Sequence, residues 1–284
     1  MRVLVIGARG MLGGDILREW RDDELIAADQ AEADICHLEE VRPLVSKHQP
    51  DWILLTAAFT DVDGSECTPE VAYAVNETGT ANVAKAAEEV GAGVFFLSTD
   101  YVFDGTSPRP YEPDDPVSPI GVYGDSKAKG ESAVRRHSSR WCIARTSWLF
   151  GARGRSFPEK ILQAATSRPE LKVVSDQVGS PTYTVDLARA IRKLIKKDEA
   201  RGILHATNSG ICSWFDFAKE ILRQAGRTNP VYPIATTEAA RVAKRPAYSV
   251  LSPASLNSRG IIMRDWREAL GDYLKELRDI GKLA

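Results

Sequence analysis

Short apolar runs alternate with helix-like patterns along the first half of this chain. The apolar runs have the length of buried strands and stand at 3–6, 25–28, 51–55, 94–97 and 141–144. The patterns between them have helical spacing and stand at 11–20, 69–90 and 119–137. Strands separated by helices indicate right-handed crossovers, and therefore a parallel sheet with both faces covered. The fold class we expect is α/β, a doubly wound, Rossmann-like parallel sheet.

The rhythm loosens after about residue 146. Shorter strand patterns (172–174, 203–205, 231–234) alternate there with helical ones (185–195, 214–224, 266–277). Five prolines between 108 and 119 predict a loop, because proline disrupts both helices and strand ladders. We expect a dinucleotide-binding domain over 1–147 and a smaller α/β substrate-binding lobe over 148–284. The boundary is soft, since later segments are expected to return to the first domain.

Composition excludes several classes of protein. The 284 residues carry a formal net charge of −2, which argues against a large nucleic-acid interface. The four cysteines lie far apart without zinc-type spacing, which is typical of reduced thiols. No apolar run reaches the roughly 18 residues of a membrane helix. We therefore expect a soluble cytoplasmic protein that binds neither nucleic acid nor membrane.

A glycine-rich loop follows the first predicted strand and opens a helix. It reads Gly7-Ala8-Arg9-Gly10-Met11-Leu12-Gly13, with the spacing G-x-x-G-x-x-G. Glycines at such a turn let the backbone approach a pyrophosphate, and the helix N-terminus supplies free N–H donors. Asp29 ends the second predicted strand 22 residues after Gly7, near the place of a ribose-binding acid. Together these features predict a dinucleotide site.

Asp29 and Arg9 favour different cofactors. A carboxylate beside the adenosine ribose accepts hydrogen bonds from the 2′-hydroxyl and repels a 2′-phosphate by about 3 kcal/mol at ~5 Å and an effective dielectric near 20. Arg9 would offset this repulsion by pairing with the phosphate. We therefore expect the chain to use both NADH and NADPH.

Tyr123 and Lys127 form a Y-x-x-x-K pair at the start of a predicted helix. Residues at i and i+4 share one helix face. An ammonium ~5 Å from a phenol would lower the phenol pKa by roughly two units, toward the range useful for acid–base catalysis. Without the dinucleotide loop upstream, a surface pair would be the simpler interpretation.

Hydroxyl and small side chains follow two other predicted strands. Thr99 stands at the carboxyl end of one of them, where doubly wound sheets bind ligands. It is a candidate to hold a carbonyl oxygen, and the alternative is a turn or helix cap. Ala57, Ala58 and Thr60 follow another strand and leave room for a cofactor.

These segments together resemble the dTDP-4-dehydrorhamnose reductase branch of the extended short-chain dehydrogenase/reductase family. The resemblance extends from Val3 to about Leu270. The matching positions are the glycine loop at 7–13, Ala57, Ala58, Thr60, Asn76 with Gly79 and Thr80, 98–105, Tyr123, Lys127, 145–148, Asp176, Gln177, 179–182, Arg245, Pro246, Ser249 and Leu251.

The resemblance implies a role for each matching residue. Tyr123 would donate the proton, Lys127 would tune it and hold the nicotinamide ribose, and Thr99 would orient the substrate carbonyl. The implied substrate contacts are Thr99, Asp100, Tyr101, Trp148 and Arg245, with Arg245 facing the diphosphate. The expected cofactor contacts are Gly7, Arg9, Gly10, Met11, Leu12, Gly13, Asp29, Asp34, Ile35, Ala57, Ala58, Thr60, Asn76, Ser98, Tyr123 and Lys127.

The residue after Asp100 distinguishes the reaction types within this superfamily. Sugar-nucleotide 4,6-dehydratases carry an Asp-Glu pair after the threonine, whereas here Asp100 is followed by Tyr101. Epimerases carry small residues there. The resemblance therefore implies NAD(P)H-dependent reduction of the 4-keto group of dTDP-4-dehydro-L-rhamnose in polysaccharide biosynthesis. Two alternatives stay open: a reductase of another nucleotide-linked 4-keto-6-deoxy sugar, and a non-catalytic regulatory subunit with this fold.

The resemblance also bears on metal and assembly. Some members bind magnesium through carboxylates at a dimer interface, and Asp15 is a candidate ligand. No second carboxylate stands at a matching position, because Asp186 is offset. We therefore predict no metal ligand, keep Mg²⁺ as an open alternative, and regard a homodimer as compatible with the chain.

Replacing Asp29 tests the assignment of cofactor roles. Asp29→Ala removes the carboxylate that repels a 2′-phosphate, so the ratio of kcat/KM for NADPH to that for NADH should rise, by up to about 100-fold if the full ~3 kcal/mol is released. Steady-state kinetics with each cofactor measure it. An unchanged ratio would contradict the assignment.

Overall fold

The computed structural model describes residues 1–283, and twelve strands and eleven helices are assigned within them. The strands are β1 (Arg2–Ile6), β2 (Glu24–Ala28), β3 (Trp52–Leu55), β4 (Gly93–Thr99), β5 (Trp141–Thr146), β6 (Leu149–Phe150), β7 (Leu171–Val174), β8 (Val178–Gly179), β9 (Thr182–Tyr183), β10 (Gly202–His205), β11 (Cys212–Ser213) and β12 (Val231–Ile234). The helices are α1 (Met11–Glu19), α2 (Leu38–His48), α3 (Val62–Cys67), α4 (Pro69–Tyr73), α5 (Thr80–Glu89), α6 (Val122–His137), α7 (Phe157–Ser167), α8 (Thr184–Lys196), α9 (Trp214–Gln224), α10 (Ala254–Asn257) and α11 (Trp266–Asp279).

Six strands form one sheet in the order β10-β5-β4-β3-β1-β2. All five pairings are parallel, so the sheet has the doubly wound form predicted from the sequence. The order reverses between β1 and β3, which are adjacent although β2 comes between them in the chain. Such a reversal opens a crevice at the carboxyl ends of the strands, where ligands bind in this architecture.

Apolar clusters cover both faces of the sheet. One cluster joins α1 and α8 to the sheet and includes Trp20, Leu54 and Leu204. The other joins α2 and α5 to the opposite face and includes Val41, Val83 and Phe96. The central strands β1, β3, β4 and β5 are buried on both faces, which explains why they are largely apolar runs in the sequence.

A second lobe is built around its own core. Phe150, Phe217, Trp266 and Tyr273 are among its buried side chains. The chain does not stay there, because α8 packs on α1 and β10 pairs with β5 at the edge of the main sheet. The two-domain boundary near residue 147 stays a prediction. Helix α8 and strand β10 are later segments that return to the first domain.

The structure adds elements that the sequence pattern does not predict. Helix α2 contains Pro43 in its interior, which masks its helical pattern. The predicted helix at 69–90 is divided by a π-helical segment, Ala74–Gly79, between α4 and α5. The proline-rich segment 108–119 is a loop, as predicted. Within residues 1–283, no helix is both long enough and apolar enough to cross a membrane.

Replacing Trp20 tests the packing of α8 on α1. Its ring is fully buried, and its indole Nε1 donates to the carbonyl oxygen of Ala188 at 2.9 Å. Trp20→Ala leaves a cavity and removes this hydrogen bond, so the free energy of unfolding should fall by about 3–5 kcal/mol. Urea unfolding followed by circular dichroism measures it. The control Val242→Ala changes a side chain that is 67% exposed and should cost less than about 0.5 kcal/mol. Equal losses in the two variants would refute the packing role.

Candidate active site

A cavity of about 1090 Å³ lies along the carboxyl edge of the sheet. Its wall is formed by segments that follow β1, β3, β4 and β5, by the start of α6, and by Arg155 and Trp214 from the second lobe. Its volume is slightly above the roughly 300–1,000 Å³ range of small-molecule sites, which leaves room for a dinucleotide and a second ligand.

The glycine loop fits a pyrophosphate at one end of this cavity. Gly7 has φ +92°, and a Cβ there would stand 2.5 Å from the Ala57 backbone nitrogen. A Cβ on Gly13 would stand 2.2 Å from the Gly7 carbonyl oxygen. No side chain caps the start of α1, so its first amide donors are available to a ligand. The loop is therefore a close backbone cradle of the kind that binds dinucleotide phosphates.

Asp29 lines the cavity and also holds the glycine loop. Its carboxylate accepts the backbone N–H of Arg9 at 2.9 Å. The Arg9 side chain is exposed and lies 3.2 Å from the Glu32 carboxylate, rather than on the cavity wall. The opposing cofactor preferences assigned to Asp29 and Arg9 stay predictions.

Asn76 supports the wall instead of forming it. It is buried in the π-helical segment, where its amide accepts from the Phe59 N–H at 2.9 Å and donates to the Phe59 carbonyl at 3.0 Å. It also donates to the Ser126 hydroxyl at 3.0 Å. Asn76 thus fixes the segment after β3 against α6. Its predicted cofactor contact stays a prediction.

Thr99, Tyr123 and Lys127 converge on the cavity wall. The Lys127 Nζ donates to the Leu97 carbonyl at 2.7 Å and lies 4.1 Å from the centre of the Phe96 ring. The Thr99 hydroxyl accepts the Tyr101 N–H at 3.2 Å, so it also caps the short turn after β4. The catalytic and the capping interpretations of Thr99 are therefore compatible in this structure.

The predicted lowering of the Tyr123 pKa is wrong for this structure. Burial raises the pKa of Tyr123 to about 12, the nearby Thr99 hydroxyl opposes that rise, and the Asp100 charge adds to it. Burial also lowers the pKa of Lys127 to about 7, against the field of Glu131. The predicted pKa shift counts only the attraction between the phenolate and the ammonium. In this structure the cost of removing water from both charged groups is the larger effect.

Asp100 adds a further buried acid beside the phenol. Its side chain is 2% exposed, and burial raises its pKa to about 7, although contacts with Ser249 and Thr99 oppose the rise. Near neutral pH this carboxyl group is partly protonated. Its residual charge disfavours the phenolate of Tyr123.

Two stacked indoles close the other end of the cavity. Trp148 has φ +48° and stacks on Trp214 with ring centres 3.5 Å apart. Gly179 leaves the space that the Trp148 ring fills, because a Cβ there would lie 2.6 Å from it. Trp214 donates to the Gln177 side chain at 3.2 Å. Trp214 is a site residue that the sequence does not predict, since a tryptophan at the start of an amphipathic helix is typical of a core residue.

Arg245 lies near the site but does not line the cavity. Its guanidinium forms an ion pair with Asp63 at 2.9 Å, and this pair holds the pKa of Asp63 down at about 2. Arg245 also lowers the pKa of Tyr101, although burial raises that pKa overall. The predicted diphosphate contact stays a prediction.

Most of the other predicted residues form the cavity wall. Besides those described above, the wall includes Gly10, Met11, Leu12, Asp34, Ile35, Ala58, Thr60, Ser98 and Tyr101. Unpredicted neighbours on the wall are Gln30, Cys36, Glu70, Val71, Thr146 and Ser147. Thr146 and Ser147 stand in the matching segment 145–148, whereas Gln30, Cys36, Glu70 and Val71 had no signal in a single sequence.

Asp15 is surrounded by cations of the protein itself. Its fully buried carboxylate lies 3.2 Å from Arg18 and 3.3 Å from Arg153, and it accepts from the Thr184 hydroxyl at 2.5 Å. Asp186 pairs instead with Arg264 at 2.8 Å. Over residues 1–283, no three histidine, cysteine or carboxylate side chains are grouped to hold a metal ion.

Comparisons with known proteins agree with this geometry. The family described as RmlD substrate binding domain matches residues 1–279. Spore coat polysaccharide biosynthesis protein SpsK of Bacillus subtilis is 42% identical, covering 97% of each chain. A dTDP-4-dehydrorhamnose reductase of Mycobacterium tuberculosis is 37% identical, covering 96% of this chain and 92% of its own. A crystal structure of a dTDP-4-dehydrorhamnose reductase of Bacillus anthracis in complex with NADP has a TM-score of 0.94 at 38% identity, covering 97% of this chain and 99% of its own.

Replacing Gly13 tests the backbone cradle. Gly13→Ala forces a methyl group against the Gly7 carbonyl, so dinucleotide affinity should fall by at least tenfold as the loop shifts. Titration of NADPH fluorescence measures the Kd. The matched control is Gly271→Ala, also within a helix, where the added Cβ has its closest neighbour at 3.4 Å and binding should be unchanged. Wild-type affinity in Gly13→Ala would show that the loop does not hold the dinucleotide.

Proposed function

The chain belongs to the RmlD substrate binding domain family, and from that premise we propose that it reduces the 4-keto group of dTDP-4-dehydro-L-rhamnose to give dTDP-L-rhamnose, with NAD(P)H as the hydride donor. The observation that carries the proposal is the meeting of Thr99, Tyr123 and Lys127 on the wall of one cavity that also contains the glycine cradle. This arrangement provides a dinucleotide site and a proton donor at one place, which is what reduction of a ketone requires.

The residues present fit the dinucleotide. The backbone of 10–13 would hold the pyrophosphate, Asp29 the adenosine ribose, and Lys127 the nicotinamide ribose. When bound, the reduced nicotinamide supplies the hydride that forms the new C–H bond. The small residues Ala57 and Ala58 leave space along the wall between these contacts.

Tyr123 is suited to donate the proton. With a pKa of about 12, its phenol is fully protonated at neutral pH. As hydride adds to the keto carbon, negative charge develops on the oxygen, and the Tyr123 O–H bond breaks to deliver the proton there. The Thr99 hydroxyl would donate to the same oxygen, and donors aimed at developing charge are effective in a site that excludes water.

Lys127 would offset the cost of the phenolate left behind. Lys127 lies on the same face of α6 as Tyr123, and its ammonium donates to the Leu97 carbonyl of β4. The positive charge stabilises the anion only as that anion forms, so it contributes to the transition state rather than to the resting phenol. The high resting pKa of Tyr123 is therefore compatible with its role as the acid.

The sugar nucleotide would occupy the end of the cavity closed by the second lobe. Trp148 and Trp214 would present an aromatic surface to the deoxyhexose, and Asp100 and Tyr101, which line the cavity, would lie close to its keto group. Arg245 would reach the diphosphate if the substrate displaced it from Asp63.

Replacing Tyr123 tests the proposed acid. The purified chain mixed with NADPH and dTDP-4-dehydro-L-rhamnose should lose the near-ultraviolet absorbance of reduced nicotinamide. Tyr123→Phe removes only the phenolic O–H, so kcat should fall by about 10²–10⁴-fold while the Kd for NADPH is retained. The rate of absorbance loss at saturating substrate measures kcat, and fluorescence titration measures the Kd for NADPH.

The matched control is Tyr232→Phe, which removes the same hydroxyl from a tyrosine 47% exposed on β12. Its kcat should equal that of the wild type. Full activity in Tyr123→Phe would refute the assigned acid. A parallel panel of nucleotide-linked 4-keto-6-deoxy sugars identifies the preferred substrate. A sugar with a higher kcat/KM than dTDP-4-dehydro-L-rhamnose would replace it as the proposed substrate.

A further inference from the structure

Glu131 and Arg145 form a buried ion pair behind the catalytic residues. The Arg145 guanidinium binds the carboxylate through Nε at 2.9 Å and Nη2 at 2.7 Å. The Arg145 side chain is only 2% exposed and the Glu131 side chain only 6%. Removing two charges from water is costly, and an apolar pair of similar volume is often at least as stable. Stability alone therefore does not account for the pair.

The pair joins β4, α6 and β5, which lead to the cavity wall, to the proline-rich loop, which does not line the cavity. The Glu131 carboxylate accepts the Ser98 hydroxyl at 2.6 Å, at the end of β4 and one residue before Thr99. Glu131 itself lies on α6, one turn after Lys127 and two after Tyr123. Arg145 lies on β5, three residues before Trp148, and its Nη1 donates to the Pro113 carbonyl of the proline-rich loop at 3.0 Å.

Ser98 and Lys127 connect the same strand end to the same helix. The Lys127 ammonium donates to the Leu97 carbonyl, and the hydroxyl of Ser98, the residue after Leu97, donates to Glu131. The peptide between Leu97 and Ser98 is thus flanked by two contacts with α6, at positions i and i+4. Any sliding of α6 along β4 breaks both contacts and moves Tyr123 relative to Thr99.

We propose that the Glu131–Arg145 pair is the positioning element that sets the register between the Thr99 end of β4 and the Tyr123–Lys127 face of α6. Neither side chain lines the cavity, so both act through Ser98 and the backbone rather than on substrate. This inference rests on the proposed function, and it gives a role to Glu131, which no sequence motif marks, and to Arg145, which stands in the matching segment 145–148 without an assigned role.

The same pair shapes the field at Lys127. Glu131 and Tyr123 lie on the same helix as that ammonium, Asp100 follows β4, and Arg145 pairs with Glu131 from β5. Of these, Glu131 is the group that opposes the lowering of the Lys127 pKa by burial. Neutralising Glu131 lowers the Lys127 pKa further, because the ammonium loses the charge that stabilises it.

The test compares three variants of the full chain. Glu131→Gln keeps the shape but removes the charge, and Ser98→Ala removes the hydroxyl that links β4 to Glu131, at a position that also lines the cavity. Asp186→Asn is the control, because it breaks a partly buried ion pair between Asp186 on α8 and Arg264, away from the cavity wall. We expect kcat to fall about 100-fold in Glu131→Gln and about tenfold in Ser98→Ala, with the KM for NADPH nearly unchanged in both. The control should keep the wild-type kcat.

The pH profile separates positioning from general stability. If protonated Lys127 is needed, kcat/KM falls at alkaline pH, and this limb should move to lower pH in Glu131→Gln but not in Asp186→Asn. Wild-type kcat with an unmoved limb in Glu131→Gln overturns the inference. If that variant does not fold, Ser98→Ala decides, and wild-type kcat there overturns it.

Amide hydrogen exchange keeps the inference testable apart from turnover. Faster exchange across 97–102 in Glu131→Gln and Ser98→Ala, but not in the control, supports the positioning role. Unchanged exchange with wild-type kinetics refutes it. A wild type that binds NADPH but reduces no 4-keto sugar would refute the proposed function instead, and the exchange comparison would still decide the positioning role.

Discussion

The parallel pairing of the central sheet is the constraint on which the site depends. Because all six strands run in one direction, the carboxyl ends of β1, β3, β4 and β5 meet along one edge. Segments far apart in the sequence therefore share one cavity. The reversal of strand order between β1 and β3 opens the crevice in which the glycine loop lies, and the second lobe closes the far side with Trp148 and Trp214.

Burial has opposite effects on the pKa values of the two central catalytic groups. It raises the pKa of Tyr123 and lowers that of Lys127, because in both cases the charged form loses its water. The phenol consequently keeps its proton until the reaction creates a demand for it. The ammonium needs a nearby anion to stay charged, and Glu131 provides one from within the same helix. The dry environment thus keeps the proton on Tyr123, whereas the charge of Lys127 is supported by Glu131 against the effect of burial.

Much of the fold and part of the site could be predicted from the sequence. The strands of the main sheet are continuous apolar runs, so their positions were clear, whereas Pro43 masked the pattern of α2. Thr99, Tyr123 and Lys127 were identified from motif and resemblance, and the structure places all three on one wall. The direction of the Tyr123 pKa shift could not be predicted, since it depends on how much water each group loses. Asn76 and Arg9 carry family or loop signals, yet neither side chain lines the cavity.

Local chemistry alone decided the alternation of strands and helices, the glycine turn and the presence of a phenol one turn before a lysine, because these follow from neighbouring residues and their periodicity. Tertiary structure decided the rest: which strand ends are adjacent, that Trp214 stacks on Trp148, and that Glu131 meets Arg145 and Ser98 behind the site. Contacts of this kind join residues tens of positions apart, and no local pattern in a single sequence records the distance between them in space.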